Sequence, residues 1–379
     1  MVLRRRVLST RVLLLITDLA YGGTPRSVQV LALGLRRRGY DVRVASLLSG
    51  GAVAGELRGA GCPVLELDVG RRPLKALASV YGTIKRERPD LLHTFLFHAN
   101  LLGRLAGRMA GVPYIVASER SVEPRKAAWR VRADRLTWRQ ADIWTANAEA
   151  VARVLVAREG LARDRIVVIP TAVDTVHFSP QTGGGFRAQL QIGDAPMLLS
   201  VARLDPLKGH RTLLEAFNHV SQLHPRAVLV LVGEGAERAA LEAQAAALGL
   251  TARIRFTGAL ADVRPALASA DLFVLSSDAE GMPGSVLEAM AMGLPVVATD
   301  VGGTAEALDA GSAGVLVPPR DPQALANAVA TLLDAPERRR ALGARGRTLV
   351  TERYAVEHIV DETDSLYRRL LNADTVCVA

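Results

Sequence analysis

The sequence predicts an α/β protein made of two successive domains, each with a parallel sheet covered by helices on both faces. The chain has 379 residues, which exceeds one ordinary core and fits two domains of about 150–200 residues. Apolar residues make up 49% of it and aromatic residues only 4%, a composition typical of buried parallel strands. Short apolar runs alternate with helical stretches of roughly 10–15 residues, which predicts repeated βαβ units.

Seven apolar runs predict the strands of the first domain. The first run follows the basic residues 4–6 and so imitates a signal peptide, but it is uninterrupted only from Val12 to Ile16. A secretory segment needs about 7–15 apolar residues, so we interpret it as a buried strand, and no stretch reaches the roughly 18 residues of a membrane span. The predicted strands are Val12–Thr17, Asp41–Leu47, Val64–Leu67, Leu91–Thr94, Tyr114–Ser118, Ile143–Ala146 and Ile166–Ile169.

Six further runs predict the second domain. A linker with three consecutive glycines, 183–185, separates the two sets and predicts a hinge. We therefore expect an N-terminal domain over 1–180, a second domain over 181–352, and a C-terminal helical segment over 353–379. The strands predicted for the second domain are Met197–Val201, Ala227–Val232, Ile254–Thr257, Leu272–Leu275, Val296–Ala298 and Gly314–Val317.

The charge is unevenly distributed. Residues 1–180 hold 29 Lys and Arg against 15 Asp and Glu, a net +14, whereas residues 181–379 hold 18 against 23, a net −5. This asymmetry predicts an anionic partner for the first half. No nucleic-acid-binding motif is present, so we expect an anionic membrane surface or a lipid-linked acceptor and no nucleic acid. The two cysteines, Cys62 and Cys377, cannot form a disulfide framework, which favours a reducing compartment.

The basic segment 124–139 leaves two interpretations open. It combines arginines and a lysine with Trp129 and Trp138, and basic residues plus tryptophan on a helix suit an interfacial membrane site. The alternative is an ordinary helix that turns Trp129, Ala133 and Leu136 toward the core and its arginines toward solvent.

The most informative segment runs from residue 276 to 306. Glu280 lies in a turn of Gly and Pro residues, and Glu288 lies eight positions later, in the first turns of a predicted helix. Helix N-termini suit oxygen-rich or anionic ligands because their N–H groups are unpaired. Two acids so placed can hold two parts of one ligand; the alternative is one acid favoured by the helix dipole and one solvated glutamate.

This segment resembles the donor half of the retaining glycosyltransferases of family four, which have the GT-B fold. The resemblance rests on the pair Glu280 and Glu288, on the run LEAMAMGLPVVATDVGG, and on VARLDPLKGH upstream. It implies two doubly wound, Rossmann-like domains that face each other across a cleft, and a last helix that returns to the first domain. It also implies that Glu280 lies at the donor sugar, with Gly281, Met282 and Pro283, and that Glu288 holds the ribose.

Other expected site residues follow strands. Arg203 and Lys208 suit the charge of a nucleotide diphosphate, although two solvated cations are the alternative. Gly22 and Gly23 follow the first strand and can let backbone N–H groups approach a phosphate.

The resemblance also implies base recognition near Thr257 and Gly258, and a first-domain histidine, for which His98 is the better match. His93, which ends a strand, is interpreted as packed and satisfied.

Three departures from the family pattern stand out. Where many relatives carry a histidine after the fifth strand, this chain has Glu119 and Arg120, and either residue may replace it or form an internal ion pair. IPTAVD, with Thr171, stands where relatives usually read IPNGVD, and Gly284 stands where Asn is frequent.

The predicted function is a retaining transfer of a sugar from a UDP- or GDP-sugar to a hydroxyl of a lipid-linked or polysaccharide acceptor. We expect no cofactor and no metal, because no Asp-x-Asp motif is present, and a cytoplasmic protein, peripheral on the membrane if bound to it. The alternatives are a sugar-nucleotide epimerase or phosphorylase of the same fold, or a non-catalytic binding protein at the membrane.

Overall fold

The computed structural model describes residues 10–69, 73–180 and 185–373. The basic residues 4–6, two of the three linker glycines and Cys377 lie outside these ranges. By their internal contacts the residues form two compact units. Unit 1 comprises Met1–Ala172 and Val356–Ala379, and unit 2 comprises Val173–Ala355. Residues 173–180, which the sequence placed in the first domain, group with unit 2.

Unit 1 contains a seven-stranded, entirely parallel sheet. The strand order is β3-β2-β1-β4-β5-β6-β7, with β1 paired to β2 on one side and to β4 on the other. The strands are β1 (Arg11–Ile16), β2 (Asp41–Ser46), β3 (Val64–Glu66), β4 (Leu91–Phe95), β5 (Tyr114–Glu119), β6 (Ile143–Ala146) and β7 (Ile166–Val168).

Helices connect these strands, as the parallel pairing requires. They are α1 (Gly23–Arg37), α2 (Ala52–Gly59), α3 (Pro73–Glu87), α4 (Phe97–Ala110), α5 (Ala128–Thr137) and α6 (Glu149–Val154). Short 3-10 turns at Trp138–Gln140 and Arg163–Arg165 and a π-turn at Leu155–Glu159 complete the unit. The basic segment 124–139 is therefore α-helical only over α5, and its last two residues belong to the 3-10 turn.

Unit 2 repeats this plan with six parallel strands in the order β10-β9-β8-β11-β12-β13. The strands are β8 (Met197–Val201), β9 (Val228–Val232), β10 (Ile254–Gly258), β11 (Leu272–Leu275), β12 (Val296–Thr299) and β13 (Val315–Val317). The helices are α7 (Phe186–Gln189), α8 (His210–Leu223), α9 (Arg238–Ala247), α10 (Arg264–Ser269), α11 (Gly284–Ala291), α12 (Thr304–Ala307), α13 (Pro322–Leu333) and α14 (Pro336–Arg353).

All thirteen predicted strands are confirmed, with ends that differ by at most one residue. The reason is burial on both faces of each sheet, which selects near-continuous apolar runs. In β9, for example, every residue of the run VLVLV is buried. The predicted fold of two doubly wound α/β domains is likewise confirmed.

The last helix, α15 (Val356–Ala373), packs on unit 1. Val360 and Tyr367 belong to the same buried cluster as the strands of that unit. The Tyr40 hydroxyl donates to the Asp364 carboxylate at 2.6 Å. Gly34 of α1 lies so close to Val360 that a methyl group there would overlap it. The helix is thus an integral part of unit 1.

Each sheet has one point at which consecutive connections leave in opposite directions. In unit 1 this switch point lies between β1 and β4, and in unit 2 it lies between β8 and β11. In open parallel sheets the loops at the carboxyl ends of such strands diverge and leave room for a ligand. Ligand-binding residues are therefore expected in the loops after β1, β4, β8 and β11.

Candidate functional site

The switch point of unit 2 brings two predicted site residues together. Lys208 follows β8 and Glu280 follows β11, and Lys208 Nζ lies 2.7 Å from Glu280 Oε1. The side chains are 21% and 10% exposed, respectively. The Ser277 hydroxyl donates to the same carboxylate oxygen at 2.6 Å. Residues 72 positions apart thus form one charged group at the edge of the sheet.

The local sequence builds the Lys208 loop. Asp205 accepts a hydrogen bond from the Leu207 amide at 3.0 Å and so caps a 3-10 turn whose first residue is Pro206. Gly209 then adopts a φ of +61°, and a Cβ there would overlap the carbonyl oxygen of Ser276. Only glycine permits both the left-handed backbone and this close approach. The loop after β8 is therefore packed directly against the loop after β11.

The Glu280 loop is held from its other side by the glycine pair after β12. The Gly303 amide donates to the Gly281 carbonyl at 2.6 Å. Gly302 has a φ of +57°, and a Cβ there would overlap the carbonyl oxygen of Glu280. Met282 and Pro283 are buried beneath this loop. Three segments of unit 2, after β8, β11 and β12, thus fix the Glu280 carboxylate in place.

Glu288 lies half-buried on α11, the helix that begins at Gly284 directly after the Glu280 turn. Pro283 holds the N-cap position and provides no side-chain oxygen for the first amides of the helix. Gly284, where relatives often have Asn, has open space around its Cα. The predicted order, one acid in the turn and one in the helix, is what the structure contains.

Arg203 is placed differently from Lys208. Its side chain is 74% exposed and forms an ion pair with Asp205 at 2.9 Å. An exposed pair of this kind contributes little to stability, so the guanidinium can leave it at small cost. Arg203 is a surface cation beside the Lys208 loop, and its role at a ligand stays a prediction.

The segment predicted to read the base lies at the same edge of the sheet. The Thr257 hydroxyl donates to the Gly258 carbonyl at 2.9 Å, and the Gly233 amide donates to that same carbonyl. Gly258 lies against the Glu234 carboxylate, which pairs with Arg238. These contacts lie at the carboxyl ends of β9 and β10. In the sheet these strands are one and two positions away from β8, the strand that precedes Lys208.

Sequence reasoning missed two polar residues of this edge. Ser277, which directly follows β11, orients Glu280 as described above. Thr304, at the start of α12, is fully buried, and its hydroxyl has no hydrogen-bond partner within the described ranges. The available signal for both was their position, immediately after a strand or a glycine pair at a carboxyl edge.

In unit 1 the predicted glycines flank the start of α1. Gly22 and Gly23 are exposed, and no side chain caps the first amides of the helix. A Cβ at Gly23 would meet nothing within 4 Å, so packing within the unit does not require glycine there. The open helix end leaves room for a ligand at the switch point.

The loop after β4 contains strained backbone. Leu96 has a φ of +69°, which costs a non-glycine residue roughly 1–2 kcal/mol. It turns the chain into α4, where His98 is exposed beside Phe97 at a ring-centroid distance of 5.3 Å. Burial of the imidazole nitrogens and then Arg130 lower the pKa of His98. Strain of this kind concentrates at functional sites, and this position is the switch point of unit 1.

His93 is a structural residue, as expected. It is 3% exposed, its Nδ1 lies 2.6 Å from the Tyr367 hydroxyl, and its Nε2 lies 2.8 Å from the Ser118 hydroxyl. Burial lowers its pKa to about 3. The neutral imidazole ties β4 and β5 to the C-terminal helix.

Glu119, one of the two residues in place of the family histidine, takes part in an internal ion cluster. Its carboxylate lies 3.7 Å from Lys126 Nζ, which also contacts Asp134 at 2.8 Å and Glu159 at 2.9 Å. Burial raises the pKa of Glu119, and the lysine opposes this. The lysine is 2% exposed, so this cluster anchors α5 to the body of the unit.

The tryptophan of α5 lies on the outside. Trp129 is 59% exposed and Leu136 is 76% exposed, so the interpretation that turned them toward the core was wrong. Phe97 and the buried ion cluster occupy the inner face instead, with Arg130 stacked over Phe97 at 4.3 Å. The inner face is filled by charged groups that have partners: Asp134 pairs with Arg104 and Lys126, and Arg130 pairs with Glu123.

No helix within the described ranges is both long enough and apolar enough to cross a bilayer. No group of three or more His, Cys, Asp or Glu side chains among the described residues is arranged to hold a metal ion.

The two doubly wound domains define a GT-B protein. Its charged site, Lys208 with Glu280, lies in the loops after β8 and β11 of unit 2. Residues 185–349 match the family model described as glycosyl transferases group 1, and residues 22–172 match the glycosyl transferase 4-like domain. The chain belongs to this family of glycosyl transferases, and the resemblance seen in the sequence is confirmed.

Similar proteins agree with this family. The 2-deoxystreptamine glucosyltransferase of Streptomyces kanamyceticus is 31% identical over 318 residues, 79% of this chain and 82% of that protein. A D-inositol 3-phosphate glycosyltransferase of Thermomonospora curvata is 32% identical, covering 79% and 77%. The structure of HepE from Anabaena in complex with UDP-glucose has a TM-score of 0.85 at 25% identity, covering 94% of this chain and 99% of that one.

Proposed function

We propose that this chain transfers a sugar, with retention, from a UDP- or GDP-sugar to a hydroxyl of a lipid-linked or polysaccharide acceptor. The observation that carries the proposal is the Lys208–Glu280 pair at the switch point of unit 2, with Ser277 on the same carboxylate. HepE, a structural neighbour, binds UDP-glucose, and a related mannosyltransferase of Mycobacterium tuberculosis depends on GDP-mannose. Either nucleotide is compatible with an edge whose base contacts are mainly backbone groups.

In the proposed reaction the bond between the anomeric carbon and the donor phosphate breaks while the acceptor oxygen bonds to the same face of the sugar. The acceptor proton goes to the departing phosphate oxygen, so no protein nucleophile is needed. Lys208 and Arg203 neutralise the charge that grows on the leaving diphosphate, a stabilisation worth most at the transition state. The ammonium group of Lys208 has three donors, so it can bind a phosphate while it remains bound to Glu280.

The remaining residues have supporting roles in this proposal. Glu280 orients the sugar, with Gly281, Met282 and Pro283 forming the wall beneath it. Glu288 binds the ribose hydroxyls, and Thr257 and Gly258 border the base. In unit 1, Gly22 and Gly23 offer backbone amides to a phosphate, and His98 stands beside the acceptor hydroxyl. We further propose that the two cations replace a metal ion, so that neither a metal nor a cofactor is needed.

We also propose that α5 holds the protein at the anionic, cytoplasmic face of a membrane. Its exposed residues Trp129, Arg132 and Leu136 are spaced three or four apart and therefore share one helix face. A stripe of tryptophan, leucine and arginine suits the interface of an anionic bilayer. A related galactosyltransferase of Escherichia coli acts on a diphosphoundecaprenol-linked sugar, an acceptor of the kind that a membrane holds.

The first test is purified protein against a panel of UDP-, GDP- and ADP-sugars, following thermal stabilisation, donor hydrolysis and the configuration of any product. We expect one nucleotide to stabilise the protein and one sugar to be released slowly or transferred with retention. Conversion of the donor sugar to its epimer, without transfer, would identify an epimerase instead. A folded protein that no nucleotide stabilises would refute the proposal.

The membrane proposal has its own test, flotation with vesicles that contain anionic lipid. Replacing Trp129 and Leu136 with Ser should weaken binding about ten-fold or more, because both side chains are exposed. Trp129 also contacts Phe97 at a ring-centroid distance of 5.3 Å, so thermal unfolding checks that the variant keeps its fold. Leu223→Ser in unit 2, at a leucine that is 67% exposed, is the matched control and should bind as the wild type does. Equal binding by both variants would show that α5 does not contact the membrane.

A further inference from the structure

Arg120 is a half-buried cation at the carboxyl end of β5, and it points away from the ion cluster that holds its neighbour. Consecutive strand residues face opposite sides of a sheet. Glu119 therefore faces Lys126, while Arg120 Nη2 donates to the Ser27 hydroxyl and to the Thr171 hydroxyl, both at 3.0 Å. These partners lie on α1 and after β7, so Arg120 is enclosed by three elements of unit 1.

Both partners of Arg120 are neutral. No carboxylate lies within ion-pair distance of its guanidinium in the part of the chain that the structure describes, and burial lowers the pKa of Arg120 to about 10. It thus stays charged at neutral pH without a counterion. The other two enclosed cations of this unit do have acids: Arg104 pairs with Asp134 at 2.7 Å, and Lys126 has three carboxylates around it. A charge that is removed from water is normally paired with an opposite charge. The guanidinium of Arg120 has no such anionic partner among the described residues.

The guanidinium borders a small cavity. Its polar lining consists of Ser27, His93, Ser118, Arg120, Thr145 and Thr363, with apolar residues of α1 and α15 behind them. Its volume of about 30 Å³ accommodates one or two water-sized groups. It therefore admits one or two oxygens of an oxyanion but not a sugar ring. His93, whose pKa is about 3, contributes no positive charge there, so Arg120 is the cation that an anion would meet.

Donors remain available around the guanidinium, on Arg120 itself and on Thr171, which lies beside Arg120 but outside the cavity lining. A guanidinium has five N–H donors, and only Nη2 has hydrogen-bond partners among the described residues. The Thr171 oxygen accepts from Arg120 and also from Asn147 Nδ2 at 3.4 Å, which leaves its own proton to donate. Ser27 already donates to the Gly23 carbonyl at 2.9 Å. The site thus offers the free edge of a guanidinium and one hydroxyl.

Two positions at which the sequence departs from its family pattern meet at this site. Arg120 belongs to the pair that replaces a histidine, and Thr171 replaces the asparagine of IPNGVD. They are 51 residues apart and hydrogen-bonded to each other. One contact thus joins two of the three departures noted in the sequence.

We propose that Arg120 and Thr171 bind a phosphate group of the acceptor, so that the acceptor of this chain is a phosphate ester. This inference rests on the proposed transferase function and names its substrate class. The donor diphosphate has the same chemistry, but unit 2 already supplies Arg203 and Lys208 for it. Arg120 is accordingly a specificity residue for the acceptor.

The test is binding of inorganic phosphate to the full chain, measured by calorimetry at constant ionic strength with and without saturating UDP or GDP. We expect wild type to bind phosphate and Arg120→Gln to bind it about ten- to a hundred-fold more weakly, as for loss of charged hydrogen bonds. Arg153→Gln removes an exposed cation of the same unit and is the matched control for net charge. It should bind phosphate like wild type.

Each outcome decides the matter. An affinity for phosphate that is the same with and without saturating nucleotide supports an acceptor site. An affinity that falls when nucleotide is present would mean that the two compete, which would assign Arg120 to the donor and overturn the proposal. Equal phosphate binding by wild type and Arg120→Gln, or none by wild type at tens of millimolar, would also overturn it. If Arg120→Gln does not fold, Thr171→Val, which removes only the hydroxyl, should weaken phosphate binding several-fold, and an unchanged affinity would count against the site.

Activity provides an independent comparison. With a phosphorylated acceptor and its dephosphorylated analogue, wild type should prefer the first, Arg120→Gln should lose that preference, and Arg153→Gln should keep both the preference and the donor hydrolysis of wild type. If neither wild type nor the variants hydrolyse any donor, that result would instead refute the proposed transferase function. The two proposals can therefore fail separately.

Discussion

Replacement of Lys208 by Met tests the candidate site most directly. Lys208 Nζ lies 2.7 Å from Glu280 Oε1, and the two side chains are 21% and 10% exposed. Methionine keeps most of the apolar stem, so the substitution removes the charge and its hydrogen bond with little change in packing. The Glu280 carboxylate then keeps one direct partner, the Ser277 hydroxyl.

The geometry sets the size of the expected effects. A surface ion pair contributes about 0–1 kcal/mol, whereas leaving a charged hydrogen-bonding group without its partner costs roughly 1.5–3 kcal/mol. Because Glu280 is nearly buried, we expect a loss near 2 kcal/mol in the free energy of unfolding. That is a minor part of the 5–15 kcal/mol of a typical domain, so the variant should fold. Loss of a cation aimed at the leaving diphosphate should lower kcat by about 10²–10³.

The assay is turnover of the responding nucleotide sugar, together with thermal unfolding. A loss of 2 kcal/mol corresponds to a fall in Tm of roughly 4–8 °C for a domain of this size. Glu280→Gln should cost less stability, because Lys208 is the more exposed partner and can turn to water. Arg226→Met, at an exposed cation of unit 2, is the control and should change neither activity nor Tm.

Two results would refute the reasoning. Turnover by folded Lys208→Met within about three-fold of wild type would remove Lys208 from the reaction. A Tm equal to that of wild type would mean that the pair is as weak as an exposed one, and that the loops after β8 and β11 are held by backbone contacts alone.

Three further predictions concern the scaffold. Native His93 stays neutral down to pH about 3 while unfolded His protonates near 6.5, so the unfolded state binds more protons in between and stability falls as pH drops from about 6.5 to 3. His93→Gln should remove up to about 1.4 kcal/mol per pH unit of that slope in urea unfolding, and an unaltered slope would contradict the assignment. Gly302→Ala should lower the free energy of unfolding by several kcal/mol and displace Glu280. Gly249 has a similar φ of +70° but open space around it, so Gly249→Ala should lose only the strain of a left-handed backbone, about 1–2 kcal/mol. Equal losses in thermal unfolding would disprove the close approach at Gly302. Lys126→Met should cost about 3–5 kcal/mol in chemical unfolding because it removes the one cation that Glu119 has among the described residues, and one of the two cations at Asp134 and at Glu159. A loss under 1 kcal/mol would mean that water replaces the ammonium.

Sequence patterns sufficed for the fold because the determining interaction is local and repeated. A strand buried on both faces is an apolar run, and a crossover helix is an amphipathic one, so each element is recorded in its own residues. The parallel pairing of the strands followed from alternation of the two, whereas their order in each sheet is known only from the structure. Both sheets and all thirteen strands were accordingly predictable, whereas helix ends, such as the start of α5 at Ala128, depend on contacts outside the helix.

The candidate site was predictable only in part. Glycines and acids after strands marked the loops around Lys208 and Glu280, because the carboxyl edge of a parallel sheet is where such residues collect. The sequence did not show that these two side chains form an ion pair or that Ser277 joins them. Nor did it show that Trp129 is exposed, because the inner face of α5 is occupied by Arg130 and Asp134, whose partners lie outside the helix.

By itself the sequence determined the class of this protein: an α/β chain with two parallel sheets, and a family whose donor-site residues lie at recognisable positions. Those features depend on residues close together along the chain. Only the tertiary structure decided which charges have partners. It satisfied Glu119 with Lys126 and left Arg120 against two hydroxyls. Whether a charge is paired depends on side chains that folding brings together from distant segments, and the spacing of residues in a sequence contains no record of those distances.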